Sequence, residues 1–374
     1  MKILLVTPLF FPYPGGASVY FDLLSRSLAE KGEVKRIYVL TRYITAEKLA
    51  ENEAKVCILR CLPNFRSRSI FLRYAERILT PLVMLILSRL LGIQLVHYHS
   101  ITSYKAIHYL SCLFGVPLIC DIRDLAVRNE RASLLYYRLA TRIICSSENI
   151  CDFICSDENL KTKCVSVPIP FEFPLKQSEN ELTEFNTACG LEPSKPYICF
   201  AGAIIEYKGI FDLLGAFKIL LSKGYGWQLV FAGPMELSTG SPEYRTFLSE
   251  IKTPGVFYLG PLNHKRTLCL IQGCSVFALP SRTEGLPRTC LEAISLGVKV
   301  ILPGCVPEFR RHCPGFVLDC INPQRLADKI IEVSKSDRRP EYPFSCHDPD
   351  AVADRTYRLY VDTLSPNTRK GESL

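Results

Sequence analysis

Short apolar runs alternate with longer stretches of helical periodicity along most of the chain. Lys2–Thr7, Arg36–Leu40, Val56–Leu59, Gln94–Tyr98, Pro117–Cys120, Arg142–Cys145 and Cys164–Val167 read as strands buried on both faces. Between them lie helical patterns. Ala17–Lys31 carries Val19, Leu23, Leu24 and Leu28 on one face and meets Gly32 where a helix stop belongs. Arg68–Leu91, Ser103–Leu113 and Ser133–Ala140 are read the same way. Pro168–Ser194, rich in Pro, Glu, Asn and Ser, breaks the alternation and reads as a linker with its lead-in.

A second alternation follows. Strands are expected at Tyr197–Ala201, Gln228–Ala232, Val256–Leu259, Val276–Leu279, Val300–Leu302 and Phe316–Leu318. Helices are expected from Lys208, near Glu243–Ile251, near Lys265–Gln272, from Arg288 and over Pro323–Ser334. After a break at Pro340–Pro349, Asp350–Leu364 looks helical. Strand alternating with helix implies a parallel, doubly wound sheet. The expectation is therefore α/β with two Rossmann-like domains, 1–170 and 190–345, and a terminal helix, 350–364, crossing back to the first.

Composition adds three constraints. A hydrophobic share of 48% with 22% charged residues describes a globular protein with a large core. The net charge of +8 is carried by the first half: residues 1–170 hold 22 Lys and Arg against 14 Asp and Glu, and the rest holds 23 of each. That favours an acidic partner for the first half, such as a diphosphate or a membrane surface. The 17 cysteines are odd in number and show no C-x2-C pair, so they read as small buried hydrophobes in a reducing cytoplasm rather than a disulfide framework. The apolar start, Met1–Thr7, is too short for a signal peptide. Ile78–Val96 is broken by Pro81, Ser88, Arg89, Gly92 and Gln94, so no transmembrane helix is expected.

The most informative segment is Pro280-Ser281-Arg282-Thr283-Glu284-Gly285-Leu286-Pro287-Arg288-Thr289-Cys290-Leu291-Glu292-Ala293. An apolar strand leads into a Gly-Leu-Pro turn and then a helix. The helix start offers backbone N–H groups and a positive dipole end to an anion. Pro287 has no N–H, so Leu286, Arg288 and Thr289 must supply those amides. Glu284 and Glu292 flank the junction and can accept hydroxyl groups. A sugar nucleotide has that layout, with hydroxyls on both sides of a diphosphate. Two other places suit the same ligand. Gly15 and Gly16 let backbone approach it before the first helix, and Lys208 supplies a point charge.

Four motifs in order make the chain resemble retaining glycosyltransferases of family four, with the GT-B fold. They are Pro12-Tyr13-Pro14-Gly15-Gly16-Ala17, His97-Tyr98-His99, Gly202-Ala203-Ile204-Ile205-Glu206-Tyr207-Lys208-Gly209 and the two-glutamate segment. The resemblance implies two domains facing across a cleft, with Gly16 touching the donor diphosphate and His99 touching the transferred sugar. It also implies that Glu284 contacts hydroxyls of the donor sugar and that Glu292 binds the ribose. His99, Lys208 and Glu284 are then the catalytic candidates. Gly15, Gly16, Lys208, Glu284, Gly285, Leu286, Arg288, Thr289 and Glu292 are the donor-binding ones. The chain departs from the family at Ala203, where an arginine is common, and Arg288 or Arg282 is expected to compensate. Asp121, Arg123 and Asp124 are the acceptor-side candidates, with a structural Arg–Asp pair as the other reading.

The implied reaction moves a sugar, with retention, from a nucleotide-sugar expected to be UDP-linked. The acceptor is a glycan or lipid-linked saccharide of cell-surface polysaccharide synthesis. The route is front-face attack, and no metal or other cofactor is expected. Residues 60–89 hold Arg60, Arg66, Arg68, Arg73, Arg77 and Arg89 against Glu76 alone, interleaved with apolar residues. That suits a helix on an anionic membrane, so a peripheral place on the inner face of the membrane is expected, with a helix packed on its own sheet as the other reading. No nucleic-acid partner is expected. A GT-B protein that binds sugar nucleotides without transferring them and a sugar-nucleotide epimerase stay open as alternatives. An NAD-linked oxidoreductase lacks its G-x-G-x-x-G after the first strand.

Overall fold

The computed structural model describes the chain except residues 9, 13–14, 45–46, 64–69, 100–114, 124–129 and 366–374, with backbone alone at 70–74, 77 and 130–133. It divides into two compact units. The first is Met1–Glu172 together with the chain from Phe344 onward; the second is Phe173–Pro343.

The first unit holds strands β1 (Lys2–Val6), β2 (Arg36–Arg42), β3 (Ala50–Glu53), β4 (Val56–Leu62), β5 (Leu95–His99), β6 (Leu118–Ile122), β7 (Arg142–Cys145) and β8 (Cys164–Ser166). They form one sheet in the order β3-β4-β2-β1-β5-β6-β7-β8, parallel except for the β3–β4 pair. Helices α1 (Gly16–Ala29), α2 (Ile70–Leu91), α3 (Glu130–Tyr137), α4 (Glu148–Cys155) and α5 (Glu158–Lys161) connect them. Ile3, Leu4, Leu5 and Val6 of β1 are fully buried, as a strand covered on both faces requires. Strand order reverses between β1 and β5, so a crevice opens beyond their carboxyl ends, at Thr7 and His99.

The second unit holds β9 (Tyr197–Ala201), β10 (Gln228–Ala232), β11 (Val256–Tyr258), β12 (Val276–Ala278), β13 (Val300–Pro303) and β14 (Val317–Leu318), all parallel, in the order β11-β10-β9-β12-β13-β14. Its helices are α6 (Glu179–Ala188), α7 (Ile210–Ser222), α8 (Pro242–Glu250), α9 (His264–Gly273), α10 (Arg288–Ser295), α11 (Pro307–His312) and α12 (Pro323–Lys335). Here the order reverses between β9 and β12. The last helix, α13 (Pro349–Leu364), belongs to the first unit and packs on α1, where Lys31 pairs with Asp354 at 2.8 Å. His347, just before it, bonds Ile169 O through Nδ1 at 2.8 Å.

Several expectations are corrected. The stretch read as linker contains α6, closed by a capping box in which Ser178 and Glu181 bond each other's backbone N–H. β3 is a polar strand with no apolar alternation to announce it. Lys208 does not open a helix: it ends a 3-10 turn, Glu206–Lys208, and α7 starts after Gly209. The helix expected at Ser103–Leu113 lies outside the described residues.

α2 runs through Pro81 and buries Thr80, Met84 and Ser88. Ile78 (60%), Leu82 (40%), Ile86 (56%) and Leu90 (76%) stay exposed at spacings of four, with Leu79 beside them. On a helical wheel the five span an arc of about 120°. Arg60 does not join that face. It is buried in β4, pairs with Glu51 at 2.9 Å and donates to Phe11 O at 3.2 Å. No helix among the described residues is long and apolar enough to cross a membrane.

Candidate active site

Strand order in the second unit brings two distant segments together. β9 and β12 are hydrogen-bonded neighbours, so the turn after β9, carrying Lys208, meets the two-glutamate segment after β12. Two contacts fix the approach. Arg282 N donates to Tyr207 O at 2.8 Å. Gly209 sits at φ +74°, and a Cβ there would lie 2.0 Å from Pro280 O, so only glycine allows the turn to pack this closely. As a result Lys208 Nζ donates to Glu284 Oε1 at 2.7 Å, and Ser281 Oγ donates to the same oxygen at 2.8 Å. Glu284 is buried, at 8% exposure. A buried carboxylate needs such partners to offset its lost hydration.

Glu292, on α10, is also buried. Its Oε1 accepts from Arg288 Nε at 3.2 Å, one helical turn away, and lies 2.9 Å from His264 Nε2 at the start of α9. Gly285 and Leu286 are buried in the turn, while Arg288 and Thr289 at the head of α10 are half-buried. Of the two arginines expected to replace a cation at Ala203, Arg282 is committed elsewhere, to Asp212 of α7 at 2.8 Å. Arg288 stays beside the head of α10. His264 was not legible in the sequence: it reaches Glu292 across 28 residues, between two helices, with no spacing pattern to mark it.

In the first unit, His99 closes β5 and is 7% exposed. Its Nδ1 lies 3.5 Å from Thr7 Oγ1, and its ring sits 5.6 Å from that of Phe21 on α1. Thr7 follows β1 and His99 ends β5, so both sit at the carboxyl ends of the two strands between which the order switches. Gly15 caps α1 at φ +152°, a conformation that favours glycine, and a Cβ on Gly15 or Gly16 would meet no atom of the described residues within 4 Å.

Asp121 is fully buried beside this end of the sheet. Its Oδ2 lies 3.2 Å from His97 Nε2 and accepts from Arg123 Nε at 3.4 Å. His97 Nδ1 in turn lies 2.5 Å from Tyr360 Oη on α13, and the Arg123 guanidinium covers the Tyr20 ring at 3.0 Å. Burial alone would raise the Asp121 carboxyl, but the Arg123 charge and the His97 hydrogen bond hold it down at about 2. Asp124 lies outside the described residues. The one Asp-x-Asp of the chain, Asp348-Pro349-Asp350, starts α13, where Asp348 accepts from Ala351 N as a cap. Among the described residues, no group of three or more His, Cys, Asp or Glu is arranged to hold a metal ion.

Residues 184–343 match the family model described as "Glycosyl transferases group 1". This part of the chain is similar to group 1 glycosyltransferases, and the match covers the whole β9–β14 sheet and both flanking glutamates. Its relatives agree. A capsular polysaccharide biosynthesis glycosyltransferase of Staphylococcus aureus, CapM, is 28% identical over 136 residues, 36% of this chain and 35% of that protein. A GDP-mannose:cellobiosyl-diphosphopolyprenol alpha-mannosyltransferase of Xanthomonas campestris is 23% identical over 83% of this chain and 80% of its own. Among solved structures, the sucrose-phosphate synthase of Thermosynechococcus elongatus superposes with a TM-score of 0.76 at 15% identity, covering 96% of this chain and 98% of that one. The fold is GT-B, and the residues matched by the family model lie in its second unit.

Proposed function

We propose that the protein transfers a sugar, with retention at the anomeric carbon, from a nucleotide-sugar to a saccharide or lipid-linked saccharide in surface-polysaccharide synthesis. The observation that carries this reading is the pairing of Lys208 with Glu284 at the head of α10, with Glu292 one helix face further on. A cation, a helix start and two buried carboxylates together suit a diphosphate flanked by hydroxyl-bearing groups. In this reading Lys208 and the amides of Leu286, Arg288 and Thr289 stabilise charge on the departing diphosphate. Glu284 accepts hydroxyls of the donor sugar, and Glu292 those of the ribose. The bond from the anomeric carbon to the phosphate oxygen breaks, and the acceptor oxygen bonds on the same face. The acceptor's proton passes to the departing phosphate, so no protein nucleophile is used. His99, in the first unit, is assigned to the transferred sugar.

The capsular relative and the polyprenol-linked acceptor in the name of the Xanthomonas relative support a surface-polysaccharide role. The donor is expected to be UDP-linked, although that relative is named for GDP-mannose, so both belong in the test. The test incubates the protein with UDP- and GDP-sugars and a polyprenyl-diphosphate saccharide and reads the new linkage by NMR. A product with the donor's anomeric configuration is expected. An inverted product would overturn the mechanism. Nucleotide binding without transfer would favour the binding-protein reading that Ala203 motivates.

We also propose that the exposed face of α2 rests on an anionic membrane. Five exposed aliphatic side chains in one arc suit an interfacial helix, and the excess positive charge of residues 1–170 supplies complementarity. The double variant Leu82→Ser/Ile86→Ser should lose co-sedimentation with anionic vesicles. Equal sedimentation of wild type and variant, or equal binding to zwitterionic vesicles, would contradict it.

A further inference from the structure

Both contacts of Glu292 fall on a single oxygen. Oε1 takes His264 Nε2 at 2.9 Å and Arg288 Nε at 3.2 Å, and a carboxylate oxygen has two lone pairs to spend. The carboxylate is 3% exposed, whereas His264 is about half exposed and anchored by its place in the fold. It is the first residue of α9, and Asn263 before it caps that helix by accepting from Arg266 N. Its ring therefore reaches Glu292 from a fixed base on a neighbouring helix. Arg288 is a turn away on the same helix as Glu292 and fixes the carboxylate from one side only.

We propose that His264 is a positioning residue for ribose recognition: by fixing Oε1 of Glu292, it presents the second carboxylate oxygen to the cis-diol of a bound nucleotide. The inference rests on the donor reading above and deepens it, since it explains how a buried carboxylate keeps one oxygen for the ligand. A cis-diol offers two O–H donors, and Oε2 offers two lone pairs. The hydrogen bond does not depend on the charge of the imidazole. A neutral ring with the proton on Nε2 donates as a protonated one does, with the carboxylate acceptor selecting that tautomer. His264 itself need not touch the nucleotide.

The test measures calorimetric affinity for a nucleoside diphosphate and for its 2′,3′-dideoxy counterpart. The nucleotide used is the one, of UDP, GDP and ADP, that wild type binds most tightly. Wild type should bind the ribose form well and the dideoxy form poorly. His264→Ala should weaken the ribose form about 10-fold and the dideoxy form less than about 2-fold, because a hydrogen bond to a charged group is lost only from the diol subsite. His264→Gln, whose amide N–H can occupy the place of Nε2, should recover most of the affinity. Equal weakening of both ligands by His264→Ala, or no weakening of either, would overturn the inference while leaving the donor reading in place. Failure of wild type to bind any of the three would overturn the donor reading, and this inference with it.

Discussion

Glu284 receives a lysine and a serine on one oxygen, and Glu292 receives a histidine and an arginine on one oxygen. In each case a buried carboxylate is held in place rather than left to choose its rotamer. In the proposed reaction Lys208 also meets charge as it forms on the diphosphate. Lys208→Ala should therefore lower kcat by about 10²–10³-fold, the scale seen when one electrostatic donor is removed from a developing anion. Glu284 loses its cation in this variant, so thermal stability should fall as well, and a folded variant retaining more than a third of wild-type kcat would contradict the assignment. Asp121 has a different character. It is fully buried and tied to His97 and Arg123. Asp121→Ala should cost about 3–5 kcal/mol in urea unfolding, since it leaves the largely buried Arg123 guanidinium without its carboxylate. With the folded carboxyl at about 2, below its ordinary value, the stability it contributes is complete above about pH 4. It is lost as pH falls from there through 2.

Among the elements, the strands were the most legible in the sequence. Runs such as Ile3 to Val6 or Ile198 to Ala201 are apolar without interruption, and strands covered on both faces leave that signature. α6 escaped because it buries only Phe185, so its periodicity is faint; the Ser178–Glu181 capping box was the readable signal. β3 escaped because Ala50–Glu53 is polar and pairs at the sheet edge without burying an apolar face. The candidate site divides the same way. The two-glutamate segment is local and could be read directly. The Lys208–Glu284 and His264–Glu292 contacts depend on which strands and helices become neighbours, and no spacing encodes that. Gly209 joins the local and the distant parts. Gly209→Ala must place a side chain at φ +74° against Pro280 O, so a loss of about 1–3 kcal/mol or more is expected, together with weaker donor binding as Lys208 shifts. A variant with unchanged melting temperature and unchanged donor KM would show that the turn is not held as described.

For the whole molecule, the chain leaves the second unit at Pro343 and returns to the first, where α13 packs on α1. His347 secures the return. Burial lowers its pKa, opposed by the hydrogen bond to Ile169 O, so the folded protein holds the ring neutral where the unfolded chain protonates it. Its contribution to stability is present above about pH 6.5 and is lost as pH falls through the lower folded value. Urea unfolding between about pH 7.5 and 5.5 should show wild type losing more stability than His347→Gln. Parallel losses would contradict the role.

The proposed chemistry requires the head of α10 to hold a sugar nucleotide. The most direct measurement is a thermal-shift panel of UDP-, GDP- and ADP-sugars against wild type, Lys208→Ala and Glu292→Ala. A ligand that binds only the folded state raises the midpoint by mass action. The predicted result is a clear rise for wild type with one nucleotide class, reduced in both variants. No rise with any sugar nucleotide, or an equal rise in all three proteins, would contradict it.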